Sequence, residues 1–240
     1  VSTPEQQPPP PESQSAPPPP PPPESPPEED SALIPAILTA YAIYLAWRAA
    51  HNREPKGWRQ VASAINLQGL IGDQLGMVAT RAFRWQQQQA GRAGDDLWPF
   101  ADEAVRAGIQ AGVQTIAEGL LWTDTHSTGV PATQDAGAPG EATAPTAGNP
   151  PTLLAQMTAQ AVVNSTIFAA VSAAGWTKKT WHSQEDSRVR PTHQALNGTV
   201  AAMDAAFTSP SGAKLRFPGD PRAPIAERAQ CRCYLQMARR

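Results

Sequence analysis

The stretch HSQEDSRVRPTHQALNG, residues 182–198, places two acids, two arginines and two histidines within seventeen positions. How it is read decides the fold. Pro191 lacks a backbone N–H and fits only the first turn of a helix, so any helix here starts beside it. Asp186 or Ser187 is the expected cap, and Asn197-Gly198 the expected stop. So short a helix cannot stand alone, so the surrounding chain must supply a sheet for it to pack on.

The flanks supply strands. TKKTWHS (177–183) reads as a short strand, and TVAAM (199–203) as a second. FTSPSGAKLRF reads as a hairpin whose turn is Ser209-Pro210-Ser211-Gly212, and Pro218-Gly219 gives a further turn. RCYLQM (232–237) is the expected final strand. Before them, Leu154, Met157, Ala161, Ser165, Phe168 and Ser172 keep helical spacing, with Gly175 as the stop. The expectation is a small α+β unit over 152–240, with one helix covering a short antiparallel sheet.

Upstream the chain reads as helical from 31 to 123. ALIPAILTAYAIYLAW (32–47) is apolar and uncharged, but shorter than the roughly 20 residues of a membrane span. A buried or oligomer-facing helix is therefore expected there. A second helix is expected from Trp58 to Gln89, with Leu67, Ile71, Leu75, Val78 and Ala82 on one face. A third follows Pro99, carrying Val105, Ile109, Val113, Ile116 and Leu120 on its apolar face. Gly108, Gly112 and Gly119 also lie on it, each costing about 1 kcal/mol of helix propensity, which close packing can offset.

Two segments carry no core. Residues 1–30 hold fourteen of the 27 prolines and six acids, with no Lys or Arg. A disordered, partly polyproline II tail is expected. It has neither the apolar stretch nor the basic start of a secretory leader. Residues 124–151 are rich in Gly, Pro, Ala and Thr and read as a linker. Charge is uneven: residues 178–240 carry eleven Lys and Arg against five Asp and Glu, a composition suited to acidic surfaces or nucleic acid.

The two cysteines, Cys231 and Cys233, are the only ones in the chain. Bridging over a single intervening residue strains disulfide geometry, so free thiols are expected. Placed in a strand they would point to one face, with Arg232 opposite. With His193 they offer two sulfurs and a nitrogen, a set that suits Zn²⁺, and His182, Asp186 or Asp220 would be the fourth ligand. C-x-C is a weaker zinc signal than paired C-x2-C motifs, and the expectation set against it is two packed thiols beside a satisfied histidine, with no cofactor. Arg188 and Arg190 are expected to pair with Asp186 or Asp220 and so fix the loops.

Read in order, Trp181, Asp186, Arg188, Arg190, His193, Gly198, Phe207, Pro218-Gly219-Asp220, Cys231 and Cys233 form a pattern. It resembles the C-terminal domain of phage minor head proteins, the family named after protein F of phage Mu. The resemblance covers about the last ninety residues. It implies a structural protein of the virion, acting in the host cytoplasm during head assembly and lying inside the head near the portal. Portal and other capsid proteins are the implied partners. Packaged DNA would meet the basic C-terminal region. The resemblance carries over no catalytic residue. The alternatives are a phage-associated enzyme, a nuclease or toxin-like transferase using the Asp/Arg/His/Cys cluster, and a membrane-attached adaptor built on residues 32–47. There is no GxSxG, HExxH or phosphate-binding glycine loop to support an enzyme.

Overall fold

The computed structural model describes residues 33–51, 55–92, 94–126 and 150–238. The tail expected over 1–30, and most of the linker expected over 124–151, lie outside them.

The architecture is α+β: a layer of long helices, then a small antiparallel sheet. The helices are α1 (Ile34–His51), α2 (Trp58–Ala64), α3 (Leu67–Arg92), α4 (Ala101–His126) and α5 (Pro150–Ala173). A 3-10 turn at Trp98–Phe100 leads into α4. The single helix expected from Trp58 to Gln89 is broken at Ile65-Asn66. There Asn66 takes a left-handed φ of 47°, which asparagine tolerates better than most residues. The apolar spacing runs on through the break, which is why periodicity conceals it.

α5 is apolar on every side and carries no charge. Among the described residues it is the helix long and apolar enough to cross a membrane, and 78% of that stretch is buried within the protein. Two of its hydroxyls bond back along the helix, Thr158 to the Leu154 carbonyl at 2.7 Å and Thr166 to the Val162 carbonyl at 2.8 Å. These bonds satisfy the two threonines in the core, whereas the buried Ser165 hydroxyl has no hydrogen-bond partner among the described residues. It ends at Gly175 (φ 74°), where the Gly175 and Trp176 amides donate to the Ser172 and Val171 carbonyls.

α4 packs closely against both α3 and α5 because its glycines let it. A Cβ on Gly112 would lie 2.7 Å from Leu75 Cδ2 and 2.8 Å from Val162 Cγ2. Gly108 and Gly119 are crowded by Thr166 and Leu154 in the same way. This contact is what offsets their poor helix propensity.

The sheet has strand order β2-β1-β5, all antiparallel: β1 is Lys178–His182, β2 Val200–Ala202 and β5 Tyr234–Ala238. A separate hairpin pairs β3 (Phe207–Thr208) with β4 (Lys214–Leu215). The short helix α6 (Pro191–Gln194) starts at Pro191, as its chemistry requires, but its cap position is Arg190, with no side-chain cap. A second short helix, α7 (Ile225–Arg228), has no counterpart in the sequence-based reading. The final strand starts at Tyr234, so Cys231 and Cys233 precede it in extended chain rather than lying within it.

One hydrophobic core runs from α1 through α3, α4 and α5 to Trp181, Phe207, Phe217, Cys233 and Leu235. The helical stretch and the sheet stretch thus share an interior. α5 is the element common to both. Its buried Asn164 donates to the Cys233 carbonyl at 3.3 Å and accepts from the Leu235 amide at 2.9 Å. A side-chain amide thereby takes the place of a neighbouring strand at the start of β5.

Candidate functional site

Trp181, the fourth residue of β1, is fully buried. Its edge meets two rings, His193 of α6 at 5.1 Å between centroids and Phe207 of β3 at 5.4 Å. The Gly198 turn (φ 73°) returns the chain to β1: the Gly198 amide donates to the Trp181 carbonyl at 2.8 Å, and the Trp181 amide to the Thr199 carbonyl at 3.0 Å. Trp181, His193, Gly198 and Phe207, spread over 27 positions of sequence, are in this way brought to one place.

His193 is 1% exposed. Its Nε2 lies 2.9 Å from Glu227 Oε2 on α7. Burial alone would push the Glu227 carboxyl up. Hydrogen bonds from Ser211, His193 and Ser209 outweigh that and hold it below the usual carboxylate range. An ionised carboxylate only accepts, so Nε2 carries the proton and Nδ1 faces the other way. Nδ1 lies 3.5 Å from Cys231 Sγ and 3.6 Å from Cys233 Sγ. The three ligand atoms are within 4.8 Å of one another, and all three residues are buried, so the group is able to hold a metal ion. Both cysteines are free thiols. The hydrogen bond from Cys233 holds the Cys231 thiol well below its ordinary range despite burial. The same contact, together with burial, pushes the Cys233 thiol up.

The two serines belong to the β3–β4 turn. Ser209 Oγ donates to Glu227 Oε1 at 3.2 Å, Ser211 Oγ donates to the same oxygen, and the two hydroxyls are 2.6 Å apart. The turn Ser-Pro-Ser-Gly therefore does more than reverse the chain, because it anchors the carboxylate behind His193.

Arg188 pairs with Asp186 as expected, whereas Arg190 does not pair with an acid. Arg190 donates to the carbonyls of Ala226 and Ala229 around the end of α7, not to a carboxylate. The Arg188 side chain is 74% exposed, 3.7 Å from Asp186. Asp186 is taken chiefly by Arg232, and its other oxygen accepts from the Arg188 amide at 3.0 Å. Asp186 thus ties its loop to the cysteine segment instead of capping α6. Asp220, 2% exposed, is held by Arg216 at 3.3 Å and Arg222 at 3.5 Å and accepts both of their backbone amides, each at 3.1 Å. Pro218-Gly219-Asp220 is a separate clasp against α5: a Cβ on Gly219 would come within 2.9 Å of Gln160 Cγ.

None of the three candidates for a fourth ligand joins the cluster. Asp186 and Asp220 are held as above, and His182 stacks on Tyr234 at 5.5 Å. The sequence-based reading also missed Glu227. It is the only acid after Asp220, and it stands one helical turn before Cys231. A lone acid at that spacing from a cysteine pair was the available signal.

Two cavities open elsewhere. One of about 1040 Å³ lies between α2, α3 and α4, and one of about 480 Å³ lies between α4, α5 and the Arg216–Arg222 loop. Neither is lined by His193, Glu227 or the cysteines. Comparison with protein families, with curated proteins and with solved structures finds no match for this chain.

Proposed function

We propose that the chain is a structural minor head protein of a tailed phage or prophage, acting in head assembly near the portal. The sequence resemblance supplies the family. The observation that carries the reading is the use to which its motif is put. Trp181, His193, Phe207, Cys231 and Cys233 meet in one buried cluster, and their polar atoms are turned towards one another and towards Glu227. A motif so enclosed serves architecture. The surface offers what assembly needs. α1 buries Ile37, Ala40 and Tyr44 and leaves Leu38, Ile43 and Leu45 exposed, an apolar side suited to a portal or capsid partner. The exposed Arg188 and Arg222 belong to the basic end that would lie near packaged DNA.

Purified heads of the phage or prophage encoding the chain test this reading. Quantitative mass spectrometry should find it at a fixed ratio to portal protein. Its absence from heads and procapsids would refute the proposal.

A second reading has one observation in its favour. Cys231, His193 and Glu227 follow the order nucleophile, base and orienter. The enclosure of Cys231, 6% exposed, opposes it. Rapid labelling of Cys231 in the native chain by an alkylating reagent would favour the enzyme. Labelling only on unfolding would favour the structural role.

A further inference from the structure

The atoms around His193 make a poor packing arrangement for three neutral groups. A thiol is a weak donor, and Nδ1 has no partner other than the two sulfurs. The buried indole N–H of Trp181, whose ring packs on His193, has no hydrogen-bond partner among the described residues.

The sulfur–nitrogen distances match a bound ion. With Zn–S near 2.3 Å and Zn–N near 2.0 Å, a tetrahedral centre sets sulfur and nitrogen about 3.5 Å apart. The two S···N separations here are 3.5 and 3.6 Å. The surroundings match as well. A metal-ligating histidine characteristically gives its other N–H to a carboxylate, which fixes the tautomer and turns the lone pair to the metal. Glu227 does so at 2.9 Å and is itself held by Ser209 and Ser211.

We propose that Cys231 Sγ, Cys233 Sγ and His193 Nδ1 bind one Zn²⁺, with Glu227 orienting the imidazole. Both thiol protons leave on binding, and the neutral imidazole loses none. The ion and two thiolates then sum to zero charge, and the Glu227 carboxylate keeps its hydrogen bonds from Ser209 and Ser211. Three protein ligands leave one tetrahedral position for water. The ion would join three segments that share no hydrogen-bonded strand pairing at this point: α6, the stretch before β5 and, through Glu227, α7. The site is independent of the head-assembly reading, since a head protein without metal, or a zinc protein outside heads, would separate the two.

The test uses the full chain purified without added metal and without a metal-binding tag. Elemental analysis should find about one zinc per chain. After chelator treatment, Co²⁺ titration should give the near-ultraviolet thiolate charge-transfer band and the strong visible bands of a tetrahedral cobalt centre. Cys231→Ser and Cys233→Ser should each weaken or remove the charge-transfer band. Glu227→Gln should keep the band but lower zinc affinity about 10–100-fold in chelator competition. Should the cysteine variants fail to fold, the wild-type zinc content and cobalt spectrum still decide. Zinc near zero together with a cobalt spectrum lacking the thiolate band would overturn the proposal. Unchanged zinc affinity in Glu227→Gln would overturn the role given to Glu227.

Discussion

Arg190 precedes Pro191, where α6 begins, and its guanidinium holds the carbonyls of Ala226 and Ala229. These carbonyls lie around the end of α7, where a cation is favoured by the helix dipole as well as by the hydrogen bonds. Arg190→Ala would leave them short of a donor. We expect a loss of about 2–3 kcal/mol in urea unfolding, on the scale of a hydrogen bond to a charged group. Arg190→Lys should recover only part of it, because an ammonium lacks the planar fork that reaches two carbonyls at once. At this scale the sequence announced which residues mattered but not whom they met. Asp186, Arg190 and Asp220 were legible as clasp residues from their turn chemistry. Their partners were not, since Arg232 for Asp186 and backbone carbonyls for Arg190 depend on how the loops cross. Glu227 showed only as a lone acid four residues before Cys231, because α7 follows Pro224 without any apolar period to announce a helix.

β1 carries a lysine into the interior. Lys179 is fully buried, donates to the Met203 carbonyl at 3.0 Å and lies over the rings of Phe168 and Phe207. Burial, with the nearby charge of Arg216, lowers its pKa from 10.5 to about 8. The folded chain therefore gives up this proton before the unfolded chain does. Below about pH 8 both states are protonated and the penalty for burying the charge is present in full. It fades as pH rises from about 8 towards 10.5, so stability grows across that window. Relative to Lys179→Met, the wild type should gain about 2 kcal/mol between about pH 7.5 and about pH 10, read from paired urea titrations. An identical pH slope in the two proteins would show that Lys179 does not change its charge there. Among the elements, helices were the most legible because their apolar spacing runs for many turns. The strand at 178–182 was found from its residue types, although alternation alone would not place a lysine inside. The cysteines were misplaced by a few residues because RCYLQM looks extended throughout, and only the pairing with β1 decides where the strand begins.

For the whole molecule, the sheet-bearing stretch is fastened to the helical layer by α5 and by one ion pair across the chain. Arg228, 5% exposed, donates to Glu118 on α4 at 2.8 Å, while its Nε and Nη1 have no hydrogen-bond partner. Removing the carboxylate would leave a buried guanidinium uncompensated. Glu118→Ala should cost about 3 kcal/mol, and the unfolding curve should remain a single transition if the two stretches unfold together. A split into two transitions would show that they are energetically separate. The shared core was not legible in sequence, because the composition of 124–151 argues for a boundary and says nothing about packing across it. The buried His193 cluster acts as a clasp between α6, α7 and the cysteine segment. The most direct measurement is the unfolding free energy of His193→Ala in the full chain. Residues kept for catalysis are commonly poor for stability, so their removal leaves stability unchanged or raised. A clasp behaves in the opposite way. The account predicts a loss of at least about 2 kcal/mol, from the cavity beside Trp181 and the unpaired Glu227. An unfolding free energy equal to or above that of the wild type would contradict it.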